Sequence, residues 1–216
     1  MTDTLQIENT RTIHPARNLI GTLRLPGDKS ISHRYALLAG IAEGVSRFHN
    51  FSTGADCSSS LACMQQLGAK VTRSGDTVEV EGCAGVLTPP GTLLDCGNSG
   101  STMRMLSGLL AAQAGDFTLL GDASLNRRPM ERVRKPLAEM GAAIQLTDGH
   151  APVEIHGAKL HGIDYRTPVP SAQVKTALLF AGLQATGTTT VSEAVRTRDH
   201  GELALRAGLR AAGVVA

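Results

Sequence analysis

The feature that most limits how this chain can fold is an internal repeat. Three apolar stretches, Leu37–Gly44 (LLAGIAEG), Leu109–Gly115 (LLAAQAG) and Leu179–Gly187 (LFAGLQATG), each end on a glycine, and those glycines stand 71 and then 72 residues apart (44 to 115, 115 to 187). A second anchor, Leu67–Ala69, Met140–Ala142 and Ala212–Gly213, recurs at glycine spacings of 73 and 72 (68 to 141, 141 to 213). Self-similarity at a fixed period means one supersecondary unit copied and stacked. Within each copy the pattern predicts an extended lead-in, a small-residue helix, a short strand, a second helix and then the glycine anchor. The short strands are expected at Val45–Phe51, Phe117–Leu120 and Thr188–Ser192. In the first two copies an alternating hairpin follows, closing on Val78–Glu81 and Val153–His156 after Gly-Asp and Asp-Gly turns.

The third copy reaches Val214, Val215 and Ala216 where its hairpin should begin, so the expectation is an unfinished module. Such a module leaves a strand edge or an apolar face uncovered, which predicts either association with something or a shortened form of a longer protein. A complete but shortened domain is the alternative; against it, each of the first two copies spends about 20 residues on its hairpin.

Composition narrows the function classes. With 42% hydrophobic and 19% charged residues the chain is globular, and a net charge of +2 with two Tyr, four Phe and no Trp offers little to a nucleic acid. The basic residues are 16 Arg and 5 Lys, a bias toward the planar fork that suits phosphate and carboxylate. Cys57, Cys63, Cys83 and Cys96 have neither C-x-x-C spacing nor paired histidines, so they read as free thiols, with no metal site. The start of the chain, Met1 to Arg17, has no apolar leader core, and the apolar runs around Ala36–Ala39 and Ala177–Leu183 are too short to span a bilayer. A soluble, cytoplasmic protein without nucleic-acid or membrane partners is expected.

Ser30, Ser101 and Gln173 are spaced by 71 and 72 residues, and each is expected to open the first helix of its copy (30 to 101, 101 to 173). All three openings are polar: Pro26–Arg34 (PGDKSISHR), Cys96–Thr102 (CGNSGST) and Pro168–Lys175 (PVPSAQVK). A helix start presents unpaired N–H groups and the positive end of the dipole, so three around one axis make a place for anions. Lys29 adds a point charge, and Arg34, about one helical turn on, adds a bidentate fork. Ser, Thr, Asn and Asp are also ordinary caps, and one cap alone signals only capping. Repetition at equivalent places, with Lys29 and Arg34 in the first, points to anion binding. The basic run Asn126–Arg132 is expected to begin the second helix of the second copy, where arginine opposes the dipole and so hints at another use. Arg196–His200 occupies the matching place in the third copy, and no proton-transfer role is given to His200.

The run Leu25–Arg34 (LPGDKSISHR) resembles the opening signature of the 3-phosphoshikimate 1-carboxyvinyltransferase (EPSP synthase) family, bacterial type. Gly97–Arg104 (GNSGSTMR), Gly121–Met130 (GDASLNRRPM), Ser171–Lys175 (SAQVK) and Arg196–His200 (RTRDH) resemble further family motifs in the family's order. The likeness runs from about Gly21 to His200, and five ordered motifs leave little room for coincidence. The segment Gly201–Gly213 departs from the family pattern. The related UDP-N-acetylglucosamine enolpyruvyl transferases pair their lysine with Asn, where this chain has Ser30, and they are the weaker match.

The resemblance implies an α/β enolpyruvyl transferase-type domain, an inside-out α/β barrel of three repeated β-α-β-α-β-β modules with the third incomplete. Residues 1–20 would belong to another domain, and 21–216 would form the shikimate 3-phosphate-binding domain, truncated at its C-terminus, with modules at about 21–90, 91–162 and 163–216. By the same resemblance Lys29 touches both substrates. Ser30, Arg34, Ser171, Ala172, Gln173 and Arg198 hold shikimate 3-phosphate. Asn98, Gly100, Ser101, Arg128 and again Gln173 line the phosphoenolpyruvate pocket. The implied reaction is enolpyruvyl transfer to the 5-hydroxyl of shikimate 3-phosphate, in the shikimate pathway of aromatic amino acid biosynthesis, with no metal or organic cofactor. Glyphosate is the implied inhibitor at the phosphoenolpyruvate site, and Gly100 implies sensitivity to it. The family's acid–base residues lie in its second domain, so no catalytic residue is expected within this chain. The implied partner is a C-terminal half or a second copy. The rival is a non-catalytic binding module that has kept only the sugar-phosphate site.

Overall fold

The computed structural model describes residues 11–211. Two successive units share the order helix, strand, helix, hairpin, to which the second adds a leading strand and a short extra helix. The first comprises α1 (Lys29–Ile41), β1 (Val45–Phe48), α2 (Ala55–Gln66), β2 (Lys70–Ser74) and β3 (Thr77–Glu81). The second comprises β4 (Leu94–Asp95), α3 (Gly100–Leu110), β5 (Asp116–Leu120), α4 (Ala123–Asn126), α5 (Glu131–Glu139), β6 (Ala143–Thr147) and β7 (His150–His156). A third stretch supplies β8 (Asp164–Thr167), α6 (Ala172–Gly182), β9 (Thr190–Glu193) and α7 (His200–Ala211).

Three small sheets result, ordered β1-β3-β2, β4-β5-β7-β6 and β8-β9. The hairpin strands pair antiparallel, whereas β4 lies parallel to β5 and β8 parallel to β9. The first unit departs from the expected order: no strand precedes α1 among the described residues, and Leu23 and Leu25 there are exposed. The expected strand Val45–Phe51 ends at Phe48 because the chain turns at Asn50, whose φ is +54°. The third strand lies at Thr190–Glu193, slightly later than expected.

The repeat glycines have a physical cause. Gly44, Gly115 and Gly187 adopt φ of +78°, +110° and +82°, a region where a Cβ crowds the backbone, so glycine is strongly favoured where each apolar helix turns into its strand. The Gly213 member of the second anchor lies outside the described residues, as do residues 1–10 of the segment expected to belong to another domain.

Helices α1, α3 and α6 form the interior, and the sheets lie outside them with one face in and one face out. Val78, Val80, Phe117, Leu119, Val153 and Ile155 point inward, while the alternate positions Glu79, Glu81, Glu154 and His156 face solvent or are half-buried. Helix α3 is buried on nearly every side, including Thr102, Arg104 and Ser107. It packs on α6 so closely that a Cβ at Gly108 would overlap the Ala177 carbonyl. No helix among the described residues is long and apolar enough to cross a membrane.

The basic run Asn126–Arg132 does not begin a helix as expected. Asn126 ends α4, Arg127 to Met130 form the bend between α4 and α5, and Glu131 takes the first helical position of α5, paired with Arg134 at 2.8 Å. An acidic residue thus meets the dipole there, and the arginines before it are free for other contacts.

Candidate anion-binding site

Each interior helix carries a side-chain cap at its start. Asp28 accepts from the Ile31 N–H at 2.8 Å, Ser99 from Thr102 at 3.1 Å and Ser171 from Val174 at 3.4 Å. These caps repeat at 71 and 72 residues (28 to 99, 99 to 171), so the plain capping reading holds two residues before Ser30, Ser101 and Gln173. Ser171, expected at a substrate, is itself one of these caps.

The positions two residues after the caps meet partners from other units. Ser30 Oγ accepts from Arg198 Nη1 at 2.6 Å, and Ser101 Oγ accepts from Gln173 Nε2 at 2.9 Å. Asn98 Oδ1 accepts from Arg128 Nη2 at 2.6 Å, while Asn98 Nδ2 donates to Asp122 at 2.7 Å. That bond from Asn98, together with the Leu125 N–H, holds the Asp122 carboxyl below the ordinary carboxylate range. Lys29 sits apart from these pairs, in an ion pair with Asp56.

Arg34 is placed differently from a fork that projects toward a ligand. It is buried, and donates from Nη1 to the Ser30 carbonyl at 3.0 Å, from Nη2 to the Ala172 carbonyl at 3.1 Å and from Nε to Thr176 Oγ1 at 3.0 Å. It therefore fastens α1 to the start of α6, and burial draws its pKa down. Three of its five N–H groups are thus engaged within the protein. Arg198 rides on a bend whose backbone is held by Glu193, which accepts from the N–H and hydroxyl of Thr197. Lys175, 7% exposed, binds Glu193 and Glu202 at 2.7 Å each; burial works against its charge, but those two bonds outweigh it and hold its pKa above the ordinary value.

Gly100 lies against two guanidinium groups. A Cβ there would stand 2.7 Å from Arg104 Nη1 and 3.2 Å from Arg128 Nη1. Beside Ser171, a cavity of about 390 Å³ is lined by Pro129, Arg132, Lys135 and Tyr165 among others. Of the expected residues, Ser30 meets Arg198, Arg34 meets Ala172, Ser101 meets Gln173 and Asn98 meets Arg128, while Lys29 is held by Asp56.

A model of the family described as EPSP synthase (3-phosphoshikimate 1-carboxyvinyltransferase) matches residues 13–206. The chain belongs to the EPSP synthase family. It is 64% identical over 196 residues to the 3-phosphoshikimate 1-carboxyvinyltransferase of Koribacter versatilis, covering 90% of this chain and 46% of that protein. To the protein of the same description from Solibacter usitatus it is 58% identical over 199 residues, covering 91% and 46%. A solved EPSP synthase from Acinetobacter baumannii is similar with a TM-score of 0.84 and 45% identity, covering 87% of this chain and 43% of that one. The chain spans about half the length of the curated relatives it matches.

Within this EPSP synthase family member, two residues of the site region had no role in the sequence reading. Arg104, on the buried side of α3, donates from Nη1 to Gln173 Oε1 at 2.9 Å and from Nη2 to the Pro129 carbonyl at 3.3 Å. Burial, then Arg132 and Arg128, lowers its pKa to about 10. His33, fully buried, shares a hydrogen bond of 2.8 Å between Nδ1 and Ser60 Oγ, and Ser60 continues to Thr102 at 2.8 Å. Burial, then the nearby Lys29, lowers its pKa to about 4, so it is neutral. The period offered a signal for both: His33, Arg104 and Thr176 are equivalent positions, spaced by 71 and 72 (33 to 104, 104 to 176).

Proposed function

We propose that this chain forms the shikimate 3-phosphate-binding part of an enolpyruvyl transferase, the 3-phosphoshikimate 1-carboxyvinyltransferase of aromatic amino acid biosynthesis. One observation carries the reading: three repeat-related helix starts meet through Arg198–Ser30, Arg34–Ala172 and Gln173–Ser101, beside arginines that have no carboxylate partner among the described residues. Such a surface lacks negative charge, and a phosphorylated carbohydrate acid supplies it.

In this reading Ser30, Arg34, Ser171, Ala172, Gln173 and Arg198 hold shikimate 3-phosphate, and Lys29 reaches both substrates. Asn98, Gly100, Ser101, Arg128 and Gln173 face phosphoenolpyruvate. The 5-hydroxyl gives up its proton to a base as its oxygen adds to C2 of phosphoenolpyruvate, and C3 takes a proton from an acid. The tetrahedral adduct then loses phosphate and a C3 proton to restore the double bond. The positive field of the helix starts and arginines stabilises the two anions side by side and the departing phosphate. We assign the proton transfers to the part of the relatives' length that this sequence does not span. We also propose the inside-out barrel of three modules (about 21–90, 91–162 and 163–216), a separate allegiance for residues 1–20, a cytoplasmic setting, and a C-terminal half or a second copy as partner.

Calorimetric titration with shikimate 3-phosphate tests the site; no heat of binding would remove it. Phosphate release from the two substrates is expected only when a polypeptide matching the remaining length of the relatives is added. Turnover by this chain alone would overturn the division of labour, and binding without turnover in the reconstituted mixture would leave a binding module only. In that mixture Gly100→Ala is expected to weaken glyphosate inhibition about tenfold, because the new methyl displaces the Arg104 and Arg128 guanidiniums.

A further inference from the structure

Arg104 is a buried cation without a carboxylate partner among the described residues, and its closest charged neighbours, Arg128 and Arg132, are cations too. Burying an unpaired charge is costly, so its retention calls for a reason beyond packing. Its bonds supply one. Arg104 can only donate, so the oxygen of the Gln173 amide must face it, and the Gln173 NH2 is turned toward Ser101. Ser101 Oγ accepts that bond, and its single proton has no acceptor among the described residues. Ser101 and Gln173 are half-buried at the open start of their helices, while Arg104 lies behind them. Arg104 also binds the Pro129 carbonyl, which fixes the bend that carries Arg128.

We propose that Arg104 is a positioning residue that sets the direction of a hydrogen-bond relay, Arg104 to Gln173 to Ser101, so that the Ser101 hydroxyl offers its proton to a bound anion. This rests on the reading of the site as a place for phosphorylated anions. A neutral or accepting side chain at position 104 would let the Gln173 amide turn over; Ser101 would then donate to Gln173 and present lone pairs to the anion. Gly100 belongs to the same device, because any side chain there presses on Arg104.

The test uses the whole chain and two readouts. By NMR, the side-chain NH2 of Gln173 should exchange slowly with solvent in the parent and at least about tenfold faster in Arg104→Met, its partner oxygen having lost the bond that fixed it. Unchanged exchange overturns the proposal. By calorimetry with phosphoenolpyruvate in the presence of saturating shikimate 3-phosphate, Arg104→Met should bind about tenfold more weakly while melting at the same temperature or higher, since an unpaired buried charge has been replaced by an apolar side chain of similar length. In a Ser101→Ala background the same substitution should cost about twofold or less, because the relay has already lost its end. Additive losses, or a lower melting temperature with undiminished affinity, make Arg104 an ordinary core residue and overturn the proposal. Arg104→Lys keeps the charge but cannot reach Gln173 and Pro129 together, so it should recover the melting behaviour of the parent and only part of its affinity; full recovery of both also overturns it. If the parent binds no shikimate 3-phosphate, the functional reading falls; in that case, or if phosphoenolpyruvate does not bind, the amide exchange decides the relay on its own.

Discussion

The starts of α1 and α3 occupy equivalent places in the repeat, yet they treat buried charge in opposite ways. At α1 the position is His33, and burial removes its charge, leaving a neutral ring bonded to Ser60. The neighbouring Arg34 is spent on α6, and Lys29 has Asp56. At α3 the equivalent position is Arg104, which cannot shed its proton near neutrality, and the carboxylates that would answer it are absent among the described residues. One start is electrically settled within the protein, and the other is left with an excess of positive charge. The same backbone scaffold therefore closes its charge internally at one helix start and leaves a positive excess at another, and the side chain at the equivalent repeat position accounts for much of the difference.

The largest effect that would break this comparison is on Arg34. Arg34→Met removes two bonds between α1 and α6 and one within α1, and is expected to cost about 4 kcal/mol of unfolding free energy in urea, whereas Arg104→Met costs none. Equal losses would mean that both arginines are braces. Next is the acid limb of stability. The folded pKa of His33 lies near 4, below its ordinary 6.5, so the unfolded chain takes up a proton first. Stability is complete above pH 6.5 and falls by up to about 3 kcal/mol as pH drops to 4. His33→Asn, which keeps a polar partner for Ser60 but does not titrate, should flatten that part of the curve relative to the parent. A parent curve already flat between pH 6.5 and 4 would show that the imidazole charges freely.

Smaller still are the caps. Ser99 accepts from both the N–H and the hydroxyl of Thr102, so Ser99→Ala should cost about 1.5 kcal/mol, against about 0.5 kcal/mol for Ser171→Ala with its longer 3.4 Å bond. Thermal melts of the two variants would rank them, and the reverse order would detach cap strength from bond length. Smallest is Asp56→Asn, expected to strengthen shikimate 3-phosphate binding about twofold by freeing Lys29. No change would mean that Lys29 takes no part in holding the sugar phosphate.

Much of the fold was legible in the residues, for reasons the backbone makes plain. The repeat showed because Gly44, Gly115 and Gly187 stand at positive φ, where glycine is strongly favoured. The three helix starts showed because their caps are Asp28, Ser99 and Ser171, types that compete well for a free N–H. Arg104 did not show. It sits in the otherwise largely apolar run of α3, and its acceptors lie 69 and 25 residues away, so no local spacing ties them together. Arg34 was readable as a cation one turn from Lys29, but nothing local states that α6 lies across that face. The misplaced start of α5 has a similar origin, since the bend at Arg127–Met130 is held by the Gly149 carbonyl from a distant hairpin.

The ion pair between Lys29 and Asp56, with the bond from Arg198 to Ser30, has a consequence for how any anion is received. These cationic groups are not idle before a ligand arrives; each already rests on an internal substitute. In the proposed reading, reception is therefore a displacement, in which a phosphate competes with a carboxylate and a hydroxyl that never diffuse away. The measured affinity is the difference between two occupied states, and the carboxylate released from Lys29 is itself left beside the arriving anion, ready to be repelled or protonated.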